Sequence, residues 1–191
     1  MRVNYVGELG WEIHAPMTGL PAIFDALMKT GEPLGLRLFG AYAMNSLRIE
    51  KAYRHWGDDI GDEDTPLEAG LGFAVKFDKP GGFIGRDALL KQKEAGLTRR
   101  LVQFKLSDPA PLLYHNEPIL RDGEICGYVT SAMYGHSLGG AIGMGYVQNK
   151  DGVDADYVNS GSYEIEVACE GFKAEASLRP MYDPKGERMK A

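Results

Sequence analysis

The second half of the chain constrains the fold most. From Thr98 onward, short β-rich segments run from Leu101 to Leu106, Glu124 to Met133, Met144 to Gln148, Tyr163 to Val167 and Lys173 to Leu178. The pairs Asp122-Gly123, Asp151-Gly152, Ser160-Gly161 and Glu170-Gly171 punctuate them. Glycine takes a positive φ at no steric cost, so such pairs between apolar runs close tight turns. Strands at this spacing predict a small antiparallel barrel or sandwich.

The first region, up to about Gly96, carries helical signals instead. Leu20, Ile23, Phe24, Leu27 and Met28 follow helical spacing, with Thr18 as a cap and Gly31 as a stop. A second helix is predicted from about Gly40 to Tyr53. A third opens at Gly85-Arg86-Asp87, turns Ala88 and Leu89 inward and ends at Gly96. Between them, Leu71 to Lys76 reads as a strand. The polar, basic run Lys91 to Arg100 is the natural joint, and the charged residues after Asp183 read as a loose tail. The predicted class is therefore α+β: an incomplete α/β unit, then a small antiparallel β-barrel. It is read as incomplete because Tyr5-Val6-Gly7-Glu8-Leu9-Gly10-Trp11-Glu12 looks like a turn feeding a buried strand with no earlier chain to pair with.

The balance of 21 basic against 27 acidic residues, a net charge of −6, argues against nucleic acid or an anionic membrane as the main partner. No apolar run reaches the roughly 18–20 residues that cross a bilayer. Arg2 is followed by no apolar stretch of signal-peptide type. Cys126 and Cys169, far apart and without partners at metal spacing, read as buried reduced thiols in strands and suggest a reducing compartment.

Several side chains are candidates for binding. Glu12 can accept two hydrogen bonds from the flat N–H edge of a pterin- or guanine-like ring, or it can simply face solvent on an alternating strand. Arg48, one turn from apolar positions, can grip a ligand carboxylate or pair with Glu50, Asp59 or Glu68. Tyr53 and Trp56 can wall a flat ligand or pack a helix end on the core. His55 is the residue best suited to proton transfer, and equally an ordinary hydrogen-bonded histidine. Thr65-Pro66-Leu67-Glu68-Ala69-Gly70-Leu71-Gly72 is a turn and lacks the Lys-Ser/Thr of a phosphate loop. No metal set and no serine nucleophile elbow is visible.

Taken in order, Tyr5 to Glu12, Asn45-Ser46-Leu47-Arg48-Ile49-Glu50-Lys51, Asp59-Ile60 and Thr65 to Leu71 resemble the glycine cleavage T-protein (aminomethyltransferase) family. Glu50 to Gly57, Phe83-Ile84-Gly85-Arg86-Asp87-Ala88-Leu89 and Arg99-Arg100-Leu101-Val102 resemble more closely the folate-binding C-terminal half of dimethylglycine and sarcosine dehydrogenases. Gly127-Tyr128-Val129-Thr130-Ser131 and Met144-Gly145-Tyr146-Val147 resemble the family's C-terminal barrel. The resemblance implies that residues 1–96 are the C-terminal half of a folate-binding domain, 97–182 the barrel and 183–191 a tail.

It further implies a tetrahydrofolate site: Tyr5 and Glu12 hold the ligand, Arg48 reaches its glutamate-bearing side, and Trp56 is a nearby aromatic. The implied chemistry is oxidative N-demethylation, in which tetrahydrofolate captures the one-carbon unit as 5,10-methylenetetrahydrofolate. FAD would enter only through an absent domain or a partner chain. No catalytic residue is assigned, because the family's catalytic Asp belongs to the absent first half. Alternatives are an aminomethyltransferase-like fragment without a flavin partner, or a non-catalytic module that keeps only the fold. The expected location is the bacterial cytoplasm, or the mitochondrial matrix in a eukaryote.

Overall fold

The computed structural model describes residues 1–190. Six strands close a barrel in the order β1-β4-β3-β2-β5-β6, every neighbouring pair antiparallel. They are β1 (Arg99–Leu106), β2 (Pro118–Arg121), β3 (Glu124–Gly135), β4 (Gly140–Gln148), β5 (Tyr163–Val167) and β6 (Glu170–Ser177). The helices are α1 (Leu20–Gly31), α2 (Ala41–Glu50), α3 (Arg86–Ala95) and α4 (Ala155–Ser160). The class is α+β, as the two contrasting halves of the sequence predict.

Period-two alternation explains how α2 and the barrel share β1 and β4. Val102, Phe104 and Leu106 of β1 point into the barrel, with Ile119, Val129, Ala141, Val147 and Ile165. Leu101 of β1 and Ile142, Met144 and Tyr146 of β4 point outward and pack against Ile49 and Ala52 at the end of α2. Residues Gly140 to Val147 of β4 are buried throughout, since the strand is covered on both faces.

The β2–β3 turn falls at Asp122-Gly123, both with positive φ (53° and 87°), as expected of a two-residue hairpin. The β5–β6 turn does not fall at Glu170-Gly171. Val167 pairs with Glu170, so the turn is Ala168-Cys169, with φ of 51° and 67°. Cys169 is accordingly exposed in a turn and Cys126 half-buried, not two enclosed strand thiols. Ser160-Gly161 ends α4, a helix missed by strand periodicity, whose cap Asp154 accepts a hydrogen bond from the Tyr157 N–H at 2.8 Å. The short β2 also escaped the sequence reading.

The first region departs further from expectation. α1 starts after Gly19 rather than at a Thr18 cap, and none of its residues is buried. Leu20, Phe24 and Leu27 are all more than 40% exposed: 41%, 49% and 47%. α2 ends at Glu50, short of Tyr53, because Ala52 has a φ of 52° that no helix accommodates. Leu71–Lys76 is not a strand. It contains the single 3-10 turn Gly72–Ala74, leaving Phe73 85% exposed. α3 lies between Gly85 and Gly96 as predicted, but Ala88 faces solvent. Tyr5–Glu12 forms bends and loop rather than a strand, since among the described residues its backbone pairs only with Met1, the Glu12 N–H donating to the Met1 carbonyl at 2.9 Å and the Glu12 carbonyl accepting from the Met1 amine at 2.7 Å, while the Gly7 N–H turns back to Asn4 Oδ1. The segment after Asp183 is docked against residues 2–8 and Tyr53 rather than loose; Ala191 lies outside the described residues.

Candidate functional site

α2 delivers Arg48 to the interior, where its side chain is 1% exposed. Nη1 donates to Asp59 Oδ2 at 2.7 Å and to the Tyr53 carbonyl at 3.1 Å, while Nε donates to Asn45 Oδ1. Asp59 is itself fully enclosed, and burying a charge is tolerated only when its hydrogen-bonding capacity is met. The His55 N–H completes Oδ2 at 2.9 Å. The Thr130 and Ser131 hydroxyls both reach Oδ1, the latter at 2.7 Å. The Tyr146 hydroxyl bonds the Asp59 carbonyl at 3.0 Å.

Adjacent strand residues normally point to opposite faces, so Thr130 and Ser131 should not share an acceptor. They do because β3 carries a bulge there. Val129 pairs with Gly145 and Ser131 with Met144, which leaves Thr130 as the extra residue. The bulge turns both hydroxyls towards one carboxylate oxygen. One side chain, Asp59, thereby ties α2, the 53–60 loop and the barrel together.

That loop carries the aromatic candidates. Tyr5 donates to the Arg54 carbonyl at 2.8 Å, and its ring stacks on Tyr53 with centroids 6.1 Å apart and planes 13° off parallel. Burial raises the Tyr5 pKa, with Arg48 opposing, so the phenol is neutral at physiological pH. Arg54 braces the loop from behind by donating to the Ala69 carbonyl at 2.9 Å and the Ala52 carbonyl at 2.7 Å. Gly70 makes room for it: a Cβ there would lie 2.7 Å from Arg54 Nη2. Trp56 stands out into solvent, 68% exposed. His55 Nδ1 lies 3.0 Å from Asp58 Oδ2, both half-exposed.

The structure therefore gathers Tyr5, Arg48 and Trp56 around one loop and leaves Glu12 apart. The Glu12 side chain is 51% exposed, with Oε2 3.1 Å from His14 Nε2. Arg48 does not extend towards open space. Its guanidinium is engaged inside the protein, the ion-pair arrangement with Asp59 that its sequence context also allowed. A cleft of about 520 Å³ opens beside this network, walled by Asn45, Gly57, Asp58, Tyr128, Thr130 and Ser131. None of Tyr5, Glu12, Arg48 or Trp56 lines it. Sequence reasoning missed the Thr130 and Ser131 hydroxyls because a bulge has no signature in a run such as Tyr128-Val129-Thr130-Ser131.

Comparison with known families gives two ordered matches: the GCVT N-terminal domain over residues 1–79 and the glycine cleavage T-protein C-terminal barrel domain over residues 99–183. The chain belongs to the glycine cleavage T-protein family. Among its relatives, 4-methylaminobutanoate oxidase (formaldehyde-forming) of Paenarthrobacter nicotinovorans is 44% identical over 190 residues, spanning 100% of this chain and 22% of the oxidase. Human mitochondrial sarcosine dehydrogenase is 42% identical over 192 residues, again 100% of this chain and 21% of the enzyme. The crystal structure of the glycine cleavage system aminomethyltransferase T from Bartonella henselae superimposes with a TM-score of 0.83 at 27% identity, covering 96% of this chain and 49% of that one. The chain thus spans about a fifth of the oxidase and dehydrogenase and about half of the aminomethyltransferase. These three relatives are enzymes by name.

Proposed function

We propose that this chain is the tetrahydrofolate-binding, one-carbon-transfer portion of a sarcosine or dimethylglycine dehydrogenase-like enzyme. The observation that carries the reading is the end-to-end match, above 40% identity, to an oxidase and a dehydrogenase named for N-methylated amines. Tetrahydrofolate supplies the nucleophilic nitrogens that accept a one-carbon unit at the oxidation level of formaldehyde. The side chains present suit such a ligand. Glu12 offers a carboxylate whose outer face is open to a flat N–H edge, and Trp56 offers an exposed ring on which a flat heterocycle stacks. Tyr5, anchored through Arg54, presents its ring edge beside the same loop.

Arg48 serves this reading from behind. Held by Asp59, it fixes the Tyr53 carbonyl and with it the start of the loop that carries Trp56. No residue of this chain is assigned to FAD, and none to proton abstraction. Amine oxidation belongs to a flavin site on an additional domain or a partner chain.

The test is a calorimetric titration of the chain with tetrahydrofolate, repeated with Glu12→Ala and Trp56→Ala. Saturable binding that weakens in both variants supports the reading. Absence of binding, also after a flavin-bearing or first-half polypeptide is supplied, overturns it in favour of a module that keeps only the fold. The likeness to an aminomethyltransferase supports a second reading, a folate unit with no flavin partner. A flavin domain on the same or a neighbouring open reading frame would count against that second reading.

A further inference from the structure

The matched barrel family ends at residue 183, and residues 184–190 lie beyond both matched domains. After β6 the backbone is stitched to β1 and α2: the Met181 N–H donates to Gln103 Oε1 of β1 at 2.8 Å and the Tyr182 N–H to the Glu50 carbonyl of α2 at 3.3 Å. Asp183 then turns the chain with a φ of 43°. Lys51, only 3% exposed, donates to the Asp183 carbonyl at 2.6 Å and to Oδ2 at 3.0 Å. The same carboxylate accepts the Glu187 N–H at 2.9 Å and the Arg188 N–H at 3.2 Å, which closes residues 183–188 into a compact turn.

That turn aims Arg188 and Met189 at the start of the chain. Arg188 Nε donates to Glu8 Oε2 at 3.1 Å and Tyr182 donates to Glu8 Oε1 at 2.8 Å. Arg2 donates to the Met189 carbonyl at 3.1 Å, and the Tyr53 hydroxyl meets Met189 Sδ at 2.9 Å. Among the described residues, the side chains of 1–12 that bond beyond their own neighbourhood are Arg2, Tyr5 and Glu8. Arg2 and Glu8 find their partners in 182–189. Gly7 also sits so close to Lys51 that a Cβ would lie 2.0 Å from Lys51 Cγ. Residues 2–8 thus meet both Lys51, which Asp183 holds, and the returning C-terminal segment.

We infer that residues 183–190 are a clamp that fixes the segment carrying Tyr5 and Glu12, with Asp183 and Arg188 as its positioning residues. The clamp stands on the geometry above; its bearing on ligand binding rests on the proposed tetrahydrofolate site. Two measurements on the 191-residue chain test it. Hydrogen exchange of peptides covering residues 2–12 is compared among wild type, a chain ending at Tyr182, Arg188→Glu, Glu8→Arg and the double charge swap. Truncation and each single reversal raise exchange several-fold, the swap restores it, and the barrel strands stay protected in all. Tetrahydrofolate affinity falls at least fivefold in Arg188→Glu and recovers in the swap. Unchanged exchange after truncation overturns the clamp, and raised exchange with undiminished affinity overturns its bearing on ligand binding. If wild type binds no tetrahydrofolate, it is the functional reading that fails, and exchange alone decides the clamp. Where truncation unfolds the barrel, the reversal and swap series decides.

Discussion

Arg48 and Asp59 face each other across 2.7 Å with side chains 1% and 0% exposed, and the partner hydroxyls of Asp59 come from a strand bulge more than 70 residues away. A buried pair of this kind gains little over an apolar substitute, but removing one member leaves a charge stranded. Asp59→Ala is expected to destabilise the chain by about 3–5 kcal/mol, measured by urea unfolding. Ser131→Ala removes one donor of several and should cost roughly 1–2 kcal/mol. Equal effects of the two would refute the assignment of Asp59 as the hub.

Glu12 makes the opposite prediction. Its exposed side chain contacts only His14, so Glu12→Gln should shift unfolding by less than about 0.5 kcal/mol. Tetrahydrofolate affinity should nevertheless drop by about tenfold or more, the worth of a charge-assisted hydrogen bond. A stability loss that tracks the affinity loss would mean that Glu12 is structural.

Two glycines separate local from global damage. A Cβ on Gly127 would lie 1.8 Å from the Tyr146 carbonyl oxygen, where β3 pairs with β2 on one side and β4 on the other. Gly127→Ala should therefore cost about 2–3 kcal/mol or more of global stability. Gly7→Ala, with φ of 75° and a flexible lysine stem as its obstacle, should chiefly raise exchange in residues 2–12. Calorimetry with peptide-level exchange distinguishes the two outcomes.

The two thiols should react differently. Burial pushes the Cys126 thiol up to about 11, and it packs within 3.5 Å of the Ile119 carbonyl. Cys169 lies exposed in the β5–β6 turn. Iodoacetamide at about pH 8 should label Cys169 within minutes and Cys126 only on unfolding, because the thiolate is the reactive form. Mass spectrometry of the two peptides reads this directly, and comparable labelling would contradict the packing of β3.

The C-terminal turn should open in acid. Burial works to raise the Asp183 pKa, but hydrogen bonds from the Glu187 N–H, Lys51 and the Arg188 N–H outweigh it and hold the carboxyl below its usual 3.8. A depressed carboxyl stabilises the docked form fully above about pH 4, and that contribution is lost as pH falls through the lowered value. The Glu187 amide resonance should move from its docked position as pH falls below the usual 3.8 through the lowered value, and Asp183→Asn should abolish that transition.

What could be read from residues alone was whatever depends on neighbours in sequence. The short β-rich segments and the glycine turns between them, Asp122-Gly123 among them, foretold a small antiparallel barrel or sandwich, since strand propensity and positive φ are local properties. The ordered motifs from Tyr5 to Gly145 placed the family for the same reason. Spatial partners followed a different logic. Asp59 was one of three carboxylates open to Arg48, and only the packing of α2 on β4 selects it. The bulge at Thr130 reverses which face a strand residue shows, and the Ala168-Cys169 turn takes a conformation that Glu170-Gly171 suited better on composition. The strand expected at Glu12 needed a ladder, and among the described residues only Met1 meets it. Residue order alone specified most strands of the barrel and the kinship of the chain, though not the short β2 or α4. Tertiary structure decided which charges are buried together and which side chains stand open, because burial and register are set by distant segments meeting.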